Sequence, residues 1–419
     1  MQTLNGAQNT DVAVLGGGIV GVCCALALQR AGRQVALIER DGVGQGCSKG
    51  NAGHFASEQV LPLATPGLLW KIPGMLLDPL GPVSIRWSYL HRIAPWLIRF
   101  MLNTRQQPFE QGAEALSELN AHSIPAWQRV LDSIGASSQL EVEGSLLVFE
   151  SDQSFTGYRQ TSDLLEQYGV KLSALSGDEV REMEPRLSQS IQHGVLFPET
   201  GHTADPYQLT QTLAEAFVQH GGRIVPWEVQ SLSLTADQVQ LQTDHGCYAI
   251  DQLVLAAGAW SEKFVRQLTG RGIPLDTERG YHLMLPNAAE QLNIPVTSAD
   301  RRFIMTPMSE GLRLAGTVEF GGLEKAPDMR RAQMLAAHAR TLIPEMNADT
   351  GDSWMGFRPS LPDSLPVIDQ IGPKQQVTLA FGHQHLGLTQ AAITAELVVE
   401  QVQKRPVTVD LTPFQLARF

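Results

Sequence analysis

The sequence predicts an α/β chain, α+β overall: a Rossmann-like dinucleotide-binding domain interleaved with a second domain built on an antiparallel sheet. Three observations predict it. A strand, a glycine-rich turn, a helix and a second strand follow one another between Asp11 and Arg40. Runs at 277–285, 302–307 and 311–318 read as strands of an antiparallel sheet far downstream. The 419 residues, 43% hydrophobic and 18% charged, suffice for two or three domains around sizeable cores.

Each element follows from a local pattern. Asp11 to Leu15 is a short apolar run rich in β-branched residues, as a buried parallel strand requires. Gly16, Gly18 and Gly21 follow at once, and Val22 to Ala31 reads as a helix that Gly32 ends. Gln34 to Ile38 is a second strand, closed by Glu39 and Arg40. Prolines at 62, 66, 73, 79, 82 and 95 leave room only for short helices over 60–105. Gly144 to Phe149 reads as a strand, and Asp163 to Tyr168 and Gly177 to Met183 as short surface helices. Asp205 is an N-cap with Pro206 at the first helical position, opening a helix over Tyr207 to His220. Arg223 to Val229 is a strand interrupted by Pro226, Asp251 to Ala256 an apolar strand, and Gly387 to Gln403 the last helix.

The turn Gly16-x-Gly18-Ile19-Val20-Gly21 carries chemistry. Gly16 permits the tight turn, Gly18 lets a pyrophosphate approach the backbone, and Gly21 lets the helix pack closely on the strand. The phosphates then meet the positive N-terminus of the helix. Glu39, at the end of the second strand, can accept hydrogen bonds from a ribose diol.

Composition excludes other classes. Lys plus Arg is 31 against 43 acids, a net charge of −12, which argues against a nucleic-acid binder. Four cysteines, Cys23, Cys24, Cys47 and Cys247, form no disulfide framework and no metal pair, so a reducing, cytoplasmic compartment and no metal are expected. The N-terminal stretch lacks the pattern of a signal peptide, and no run reaches the roughly 18 apolar residues of a membrane span.

Further motifs separate FAD from NAD. They are Gly46-Cys-Ser-Lys-Gly-Asn-Ala-Gly53, Val254-Leu-Ala-Ala-Gly-Ala-Trp260, the Gly356-to-Ile368 segment and Phe381-Gly-His-Gln-His-Leu-Gly-Leu-Thr389. In this order, over about 11 to 405, they resemble the FAD-dependent amine and D-amino-acid oxidoreductase family. Among its branches the chain looks most like bacterial D-amino-acid dehydrogenases. The resemblance implies non-covalent FAD, with domains at 11–57, 186–262 and 355–405 for the cofactor and 58–185 and 263–354 for the substrate. Glu39 would hold the adenosine ribose and Arg40 flank the adenine. Ser48, Asn51, Ala52 and Gly53 would touch the pyrophosphate and flavin edge, and Val229 would read adenine through its backbone. Ala257 and Gly258 would allow close approach of the FAD. Gly356, Gly387, Leu388 and Thr389 would surround the isoalloxazine ring, where a helix N-terminus at Gly387 would favour a reduced, anionic flavin.

For the substrate, the resemblance points to Arg358 as a carboxylate fork, a role guanidinium suits. The alternative is a surface ion pair. Strand alternation sends Arg279 and Tyr281 to one face and His282 to the other. Tyr281 would bond the carboxylate or simply pack in the sheet. His54 would lie near the flavin or serve as a structural histidine. The expected reaction is hydride transfer from a D-amino acid, including a cyclic one such as D-proline or hydroxy-D-proline, to flavin N5. An imino acid forms and then a 2-oxo acid, and electrons pass to a quinone or another acceptor. An oxygen-using sarcosine or glycine-type oxidase and a non-catalytic FAD-binding subunit are the alternatives. Residues 60–105 read as a helical insertion. They hold Trp70, Trp87 and Trp96, and five cations against Asp78. This segment is expected to rest on the inner face of an anionic membrane or to cover the substrate site.

Overall fold

The computed structural model describes residues 2–3, 10–67, 83–286, 288–348 and 350–419. Two large sheets organise them. The first has the order Arg223–Val225, Val35–Ile38, Val12–Leu15, Gln252–Leu255, Val377–Phe381, Val367–Ile371. All neighbours are parallel except the last pair. Val12–Leu15 and Val35–Ile38 are buried along their whole length, which explains their unbroken apolar runs. The helix Ile19–Arg30 joins them and packs against Gly387–Val402. The core positions of the two helices, Val22 and Leu26 on the first and Ile393 and Leu397 on the second among them, are fully buried. The helix starts three residues before the expected Val22, because the glycine turn itself supplies its first turn, with Gly18 as N-cap.

The second sheet has nine strands. Its main path runs Asp352–Ser360, Asp276–Pro286, Gly311–Phe320, Phe303–Met308, Val296–Ser298, Ser145–Phe149, His193–Phe197, Ser173–Ser176, and Val83–Ile85 pairs with Gly311–Phe320. His193–Phe197 and Asp352–Ser360 thus extend this sheet into stretches that the sequence assigns to the nucleotide-binding part. Pro226 does more than interrupt a strand: Arg223–Val225 and Val229–Leu234 belong to different sheets. Asp205 caps Pro206–Gln219 by accepting from Tyr207 and Gln208 N–H, both at 2.9 Å. Ser151 caps a helix over Asp152–Gln167, far longer than the expected 163–168.

Part of the 60–105 insertion, 68–82 with Trp70, Lys71 and Asp78, lies outside the described residues. The rest includes the strand Val83–Ile85 and the helix Leu90–Asn103, which keeps Pro95 inside it. Its inner side holds Trp96, whose ring centroid lies 5.1 Å from Phe100 and 5.2 Å from Phe320, and whose Nε1 donates to the Ser360 carbonyl at 3.2 Å.

One buried carboxylate marks where this fold should respond to pH. Glu184 is 1% exposed and accepts from the backbone N–H of Asn293 and Ile294 at 2.8 to 3.0 Å. Burial outweighs those bonds and pushes its carboxyl up to about 7. Between the ordinary value of 4.5 and about 7 the folded state therefore binds a proton that the unfolded chain does not. Stability from this group falls as pH rises through that window. Thermal melts at pH 5 and 7.5 should show the drop, and Glu184→Gln should flatten it. An unchanged difference between the two pH values in Glu184→Gln would contradict the assignment.

Candidate active site

The carboxyl ends of Val12–Leu15, Gln252–Leu255 and Val377–Phe381 open into a cavity of about 710 Å³ that extends to the face of the nine-stranded sheet. Its walls include Gly16, Gly18, Ile19, Val20, Glu39, Arg40, Ser48, Asn51, Ala52, His54, Val229, Ala257, Gly258, Tyr281, Gly356, Arg358, Gly387 and Leu388. Nearly every residue singled out from the sequence meets here, from segments as far apart as 16 and 388.

At the nucleotide end, no side chain of the helix caps its own first turn. Ser48 Oγ reaches across to accept from Ile19 N–H at 2.8 Å. Gly16 adopts φ +112°, and a Cβ there would lie 2.4 Å from the Ala256 carbonyl oxygen. A Cβ on Gly21 would lie 1.9 Å from the Gly16 oxygen, so this glycine serves packing. Gly18 differs. Its φ of −72° suits any residue, and a Cβ would meet only Ser48 Oγ, at 3.4 Å. Nothing in the protein requires glycine at 18; a group approaching from the cavity would. Glu39 accepts from Gly17 N–H at 2.7 Å and Asp41 N–H at 3.0 Å, which aims its carboxylate along the cavity edge. Arg40 stands 5.2 Å from the Trp260 ring and pairs with Asp41 and Glu228. A helix N-terminus on the cavity wall, an aimed carboxylate and a glycine that only a ligand requires fit the pyrophosphate and ribose of FAD.

A second helix N-terminus faces the cavity at Gly387–Val402, again without a side-chain cap. Fully buried Trp127 fixes it by donating to the Leu388 and Thr389 carbonyls at 2.9 and 3.1 Å. Thr389 itself lies behind the wall, its hydroxyl accepting from Ala56 N–H at 2.9 Å. Gly53 also lies behind, with φ +72° and its carbonyl bonded to Thr203 N–H. Burial pushes His383 down to about 3, and burial followed by the charge of Arg358 pushes His385 down to about 4. Both rings are therefore neutral. His383 bonds Thr394 Oγ1 at 3.0 Å. Burial raises the Cys47 thiol to about 11, so it is a neutral wall residue and a poor nucleophile.

The sheet supplies the substrate end. Cross-strand partners share a face, and pairing aligns Trp354, His282, Ala315, Ile304 and Thr297 in one row across five strands. Four of the five line the cavity; His282 lies under Trp354, stacked at 5.0 Å and bonded to the Gly50 carbonyl. A Cβ on Gly50 or Gly356 would come within 2.2 or 2.1 Å of the Trp354 ring, so both glycines make room for it. Arg358 stands beside this row. It packs over Gly280, half-buried, and makes no hydrogen bond or ion pair among the described residues. Its cross-strand partner Glu278 instead accepts from Ser360 Oγ at 2.6 Å.

Tyr281 lines the cavity, but its hydroxyl is committed. It donates to Glu319 Oε2 at 2.7 Å and accepts from Asp328 N–H at 3.1 Å. Arg279 does not line the cavity. It is fully buried and donates to Glu319 and to the carbonyls of Gly321, Gly322, Lys325 and Ala326. Arg279 and Tyr281 share the face that meets Glu319 while His282 takes the other, as alternation requires. Arg86 joins the same carboxylate at 2.6 Å. Trp354, Trp127 and Glu319 escaped the sequence reading, since only strand register and long-range packing bring them here.

A family model described as FAD dependent oxidoreductase matches residues 11–401. A D-amino-acid oxidase of Bradyrhizobium diazoefficiens is 36% identical over 423 residues, covering 98% of this chain and 99% of that protein. A D-amino acid dehydrogenase of Paramagnetospirillum magneticum is 27% identical, covering 97% of this chain and 98% of that protein. The crystal structure of glycine oxidase from Geobacillus kaustophilus is similar with a TM-score of 0.76 at 21% identity, covering 98% of both chains, a likeness of fold.

Proposed function

The chain belongs to the FAD dependent oxidoreductase family, and from that premise we propose that it oxidises a D-amino acid at its α-carbon, the product hydrolysing to a 2-oxo acid and ammonia. The observation that carries this reading is Arg358, a half-buried guanidinium on the cavity wall with no hydrogen-bond or ion-pair partner among the described residues. Five N–H donors in a rigid fork, left unused by the described residues, suit a substrate carboxylate. FAD, when bound, accepts the hydride. The chain's own residues bind and orient: Arg358 takes the carboxylate, and Trp354, Ala315, Ile304 and Phe303 offer an apolar surface to the side chain. That surface favours small apolar or cyclic side chains, D-proline among them, over charged ones. The Tyr281 ring forms part of the wall, and its bond to Glu319 fixes the ring's position.

For the electron acceptor we favour a lipid-soluble quinone over oxygen, and the support is the outer side of Leu90–Asn103. Trp87 is 88% exposed, and Leu90, Ile98, Met101 and Leu102 are exposed beside it. Arg92, Arg99 and Arg105 are exposed in the same segment and make no ion pair among the described residues, in a chain of net charge −12. Apolar tips interleaved with cations fit an anionic lipid surface, on which the protein would rest without crossing it. No helix among the described residues is long and apolar enough to cross a membrane. Arg86, in contrast, is consumed by Glu319.

Each basic residue near such a surface contributes about 1 kcal/mol. Arg92→Glu/Arg99→Glu/Arg105→Glu should therefore weaken binding to anionic liposomes by about 100-fold or more. Co-sedimentation at low and high salt checks this, and wild type remaining in the supernatant at low salt would leave the segment as cover only. Turnover tests the enzyme reading: D-proline or D-alanine should reduce a quinone analogue faster than it yields hydrogen peroxide. Faster peroxide formation would favour the oxidase reading, and no turnover with either acceptor would defeat the proposal.

A further inference from the structure

We propose that the His385 imidazole accepts a hydrogen bond from the α-nitrogen of the substrate, so that Arg358 and His385 hold an amino acid at both ends and decide which enantiomer is oxidised. The inference rests on the D-amino-acid reading above and adds to it a second anchor.

Loop geometry carries the argument. His385 lies in the loop between Val377–Phe381 and the helix Gly387–Val402, and it lines the cavity. That loop is strapped to the strand that carries Arg358. Gln384 N–H donates to the Pro359 carbonyl at 3.0 Å. The Gln384 side-chain amide donates to the Leu361 carbonyl at 2.8 Å and to Ser360 Oγ at 3.3 Å. Gln384 takes φ +49°, a left-handed conformation that a side chain of this size adopts only where its surroundings hold it. Leu386 N–H closes the loop on the His383 carbonyl at 2.8 Å. With Gln384 tied to Pro359, the residues on either side, His385 and Arg358, are neighbours on the cavity wall, and the Arg358 charge reaches the His385 ring.

Hydrogen-bond valence gives the two residues complementary tasks. His385 is half-buried and makes no hydrogen bond or ion pair among the described residues. Burial and then the Arg358 charge push its ring down to about 4, so it is neutral and keeps one nitrogen lone pair. Arg358 has donors only. An unused fork of donors beside an unused acceptor matches the two ends of an α-amino acid, the carboxylate on the guanidinium and an N–H on the imidazole. At neutral pH the ring holds the nitrogen without taking its proton. The other rings of this region are committed: His383 to Thr394 Oγ1, His282 to the Gly50 carbonyl, His54 to the Gly201 carbonyl and Glu58, and the Tyr281 hydroxyl to Glu319.

Two anchors are what enantiomer choice requires. Once the carboxylate and the nitrogen are fixed, only the hydrogen and the side chain remain on the α-carbon, and inverting the centre exchanges them. One hand turns its side chain to the apolar surface of Trp354, Ala315 and Ile304 and its hydrogen away; the other does the reverse. With the nitrogen released, the substrate can pivot about Arg358 and the distinction weakens.

His385→Phe keeps a ring of similar shape and removes the lone pair. Its kcat/KM for D-proline should fall at least about tenfold, and its preference for D- over L-proline should narrow by a similar factor. Cyclopentanecarboxylate, the same ring with a methylene in place of N–H, reports Arg358 and the apolar wall but not His385. Titrated into the resting holoenzyme and followed by the flavin spectrum, it should bind His385→Phe within about twofold of wild type. In Arg358→Ala it should bind at least about tenfold more weakly. His385→Asn restores an acceptor oxygen and should recover part of the D-proline loss. Wild-type kcat/KM and enantiomer preference in His385→Phe would overturn the proposal. So would equal weakening of D-proline and cyclopentanecarboxylate, the mark of a merely structural role. Should His385→Phe lose its FAD, His385→Leu is read by the same two measurements. If D-amino acids bleach wild type while neither variant departs from it, His385 falls and the enzyme reading stands. If none bleaches wild type, the enzyme reading falls and takes His385 with it.

Discussion

Gly18→Val should purify as a folded, colourless protein. A Cβ at 18 meets nothing closer than Ser48 Oγ at 3.4 Å, and the backbone there has φ −72°, so the fold tolerates a side chain. The cavity in front of the helix N-terminus does not, because a branched side chain occupies the approach of the pyrophosphate. Gly21→Val provides the contrast. Its Cβ would lie 1.9 Å from the Gly16 oxygen, so this variant should fail to fold or melt far lower. Flavin absorbance per protein and circular dichroism separate the two. Gly18→Val retaining a full flavin spectrum would contradict the placement of the cofactor.

Arg358→Ala should keep its FAD and lose substrate. The guanidinium has no partner to strand among the described residues, so its removal leaves the fold little changed. A charge-assisted bond contributes about 1.5–3 kcal/mol, and a fork makes two, so kcat/KM should fall at least about tenfold and nearer 100-fold. Arg358→Lys keeps the charge without the planar fork and should recover only part of the loss. Steady-state kinetics with the best D-amino acid, beside a flavin spectrum, measures both. Unchanged kcat/KM in Arg358→Ala would remove this residue from the site.

How much of this was legible in the sequence varied with the range of the interaction. The glycine turn, Glu39 and the Asp205 cap are local patterns, and each stands where local chemistry puts it. The first helix begins earlier than its apolar periodicity suggests because Ser48, 29 residues on, satisfies Ile19 N–H. Alternation placed Arg279 and Tyr281 on one face but says nothing of what lies over that face. Glu319, 38 to 40 residues further on, decides it, drawing Arg279 into the protein and occupying the Tyr281 hydroxyl. The strand holding Glu319 carries an irregularity that no periodicity reveals. Opposite the step from Gly280 to Tyr281 it inserts Thr317, a β-branched residue at φ +59°. Trp354 could not be placed in the cavity without the register that pairs it with His282. The partnership of His54 with Glu58 likewise lives in loop geometry, which sequence spacing does not specify.

Anaerobic flavin bleaching, with D- and L-enantiomers of the same apolar amino acids presented side by side, tests the central claim most directly. The account predicts rapid bleaching by a D-amino acid with a small apolar or cyclic side chain, little by its L-enantiomer, and strong attenuation in Arg358→Ala. A flavin that stays oxidised with every D-amino acid, or one reduced equally well by both enantiomers, would contradict it.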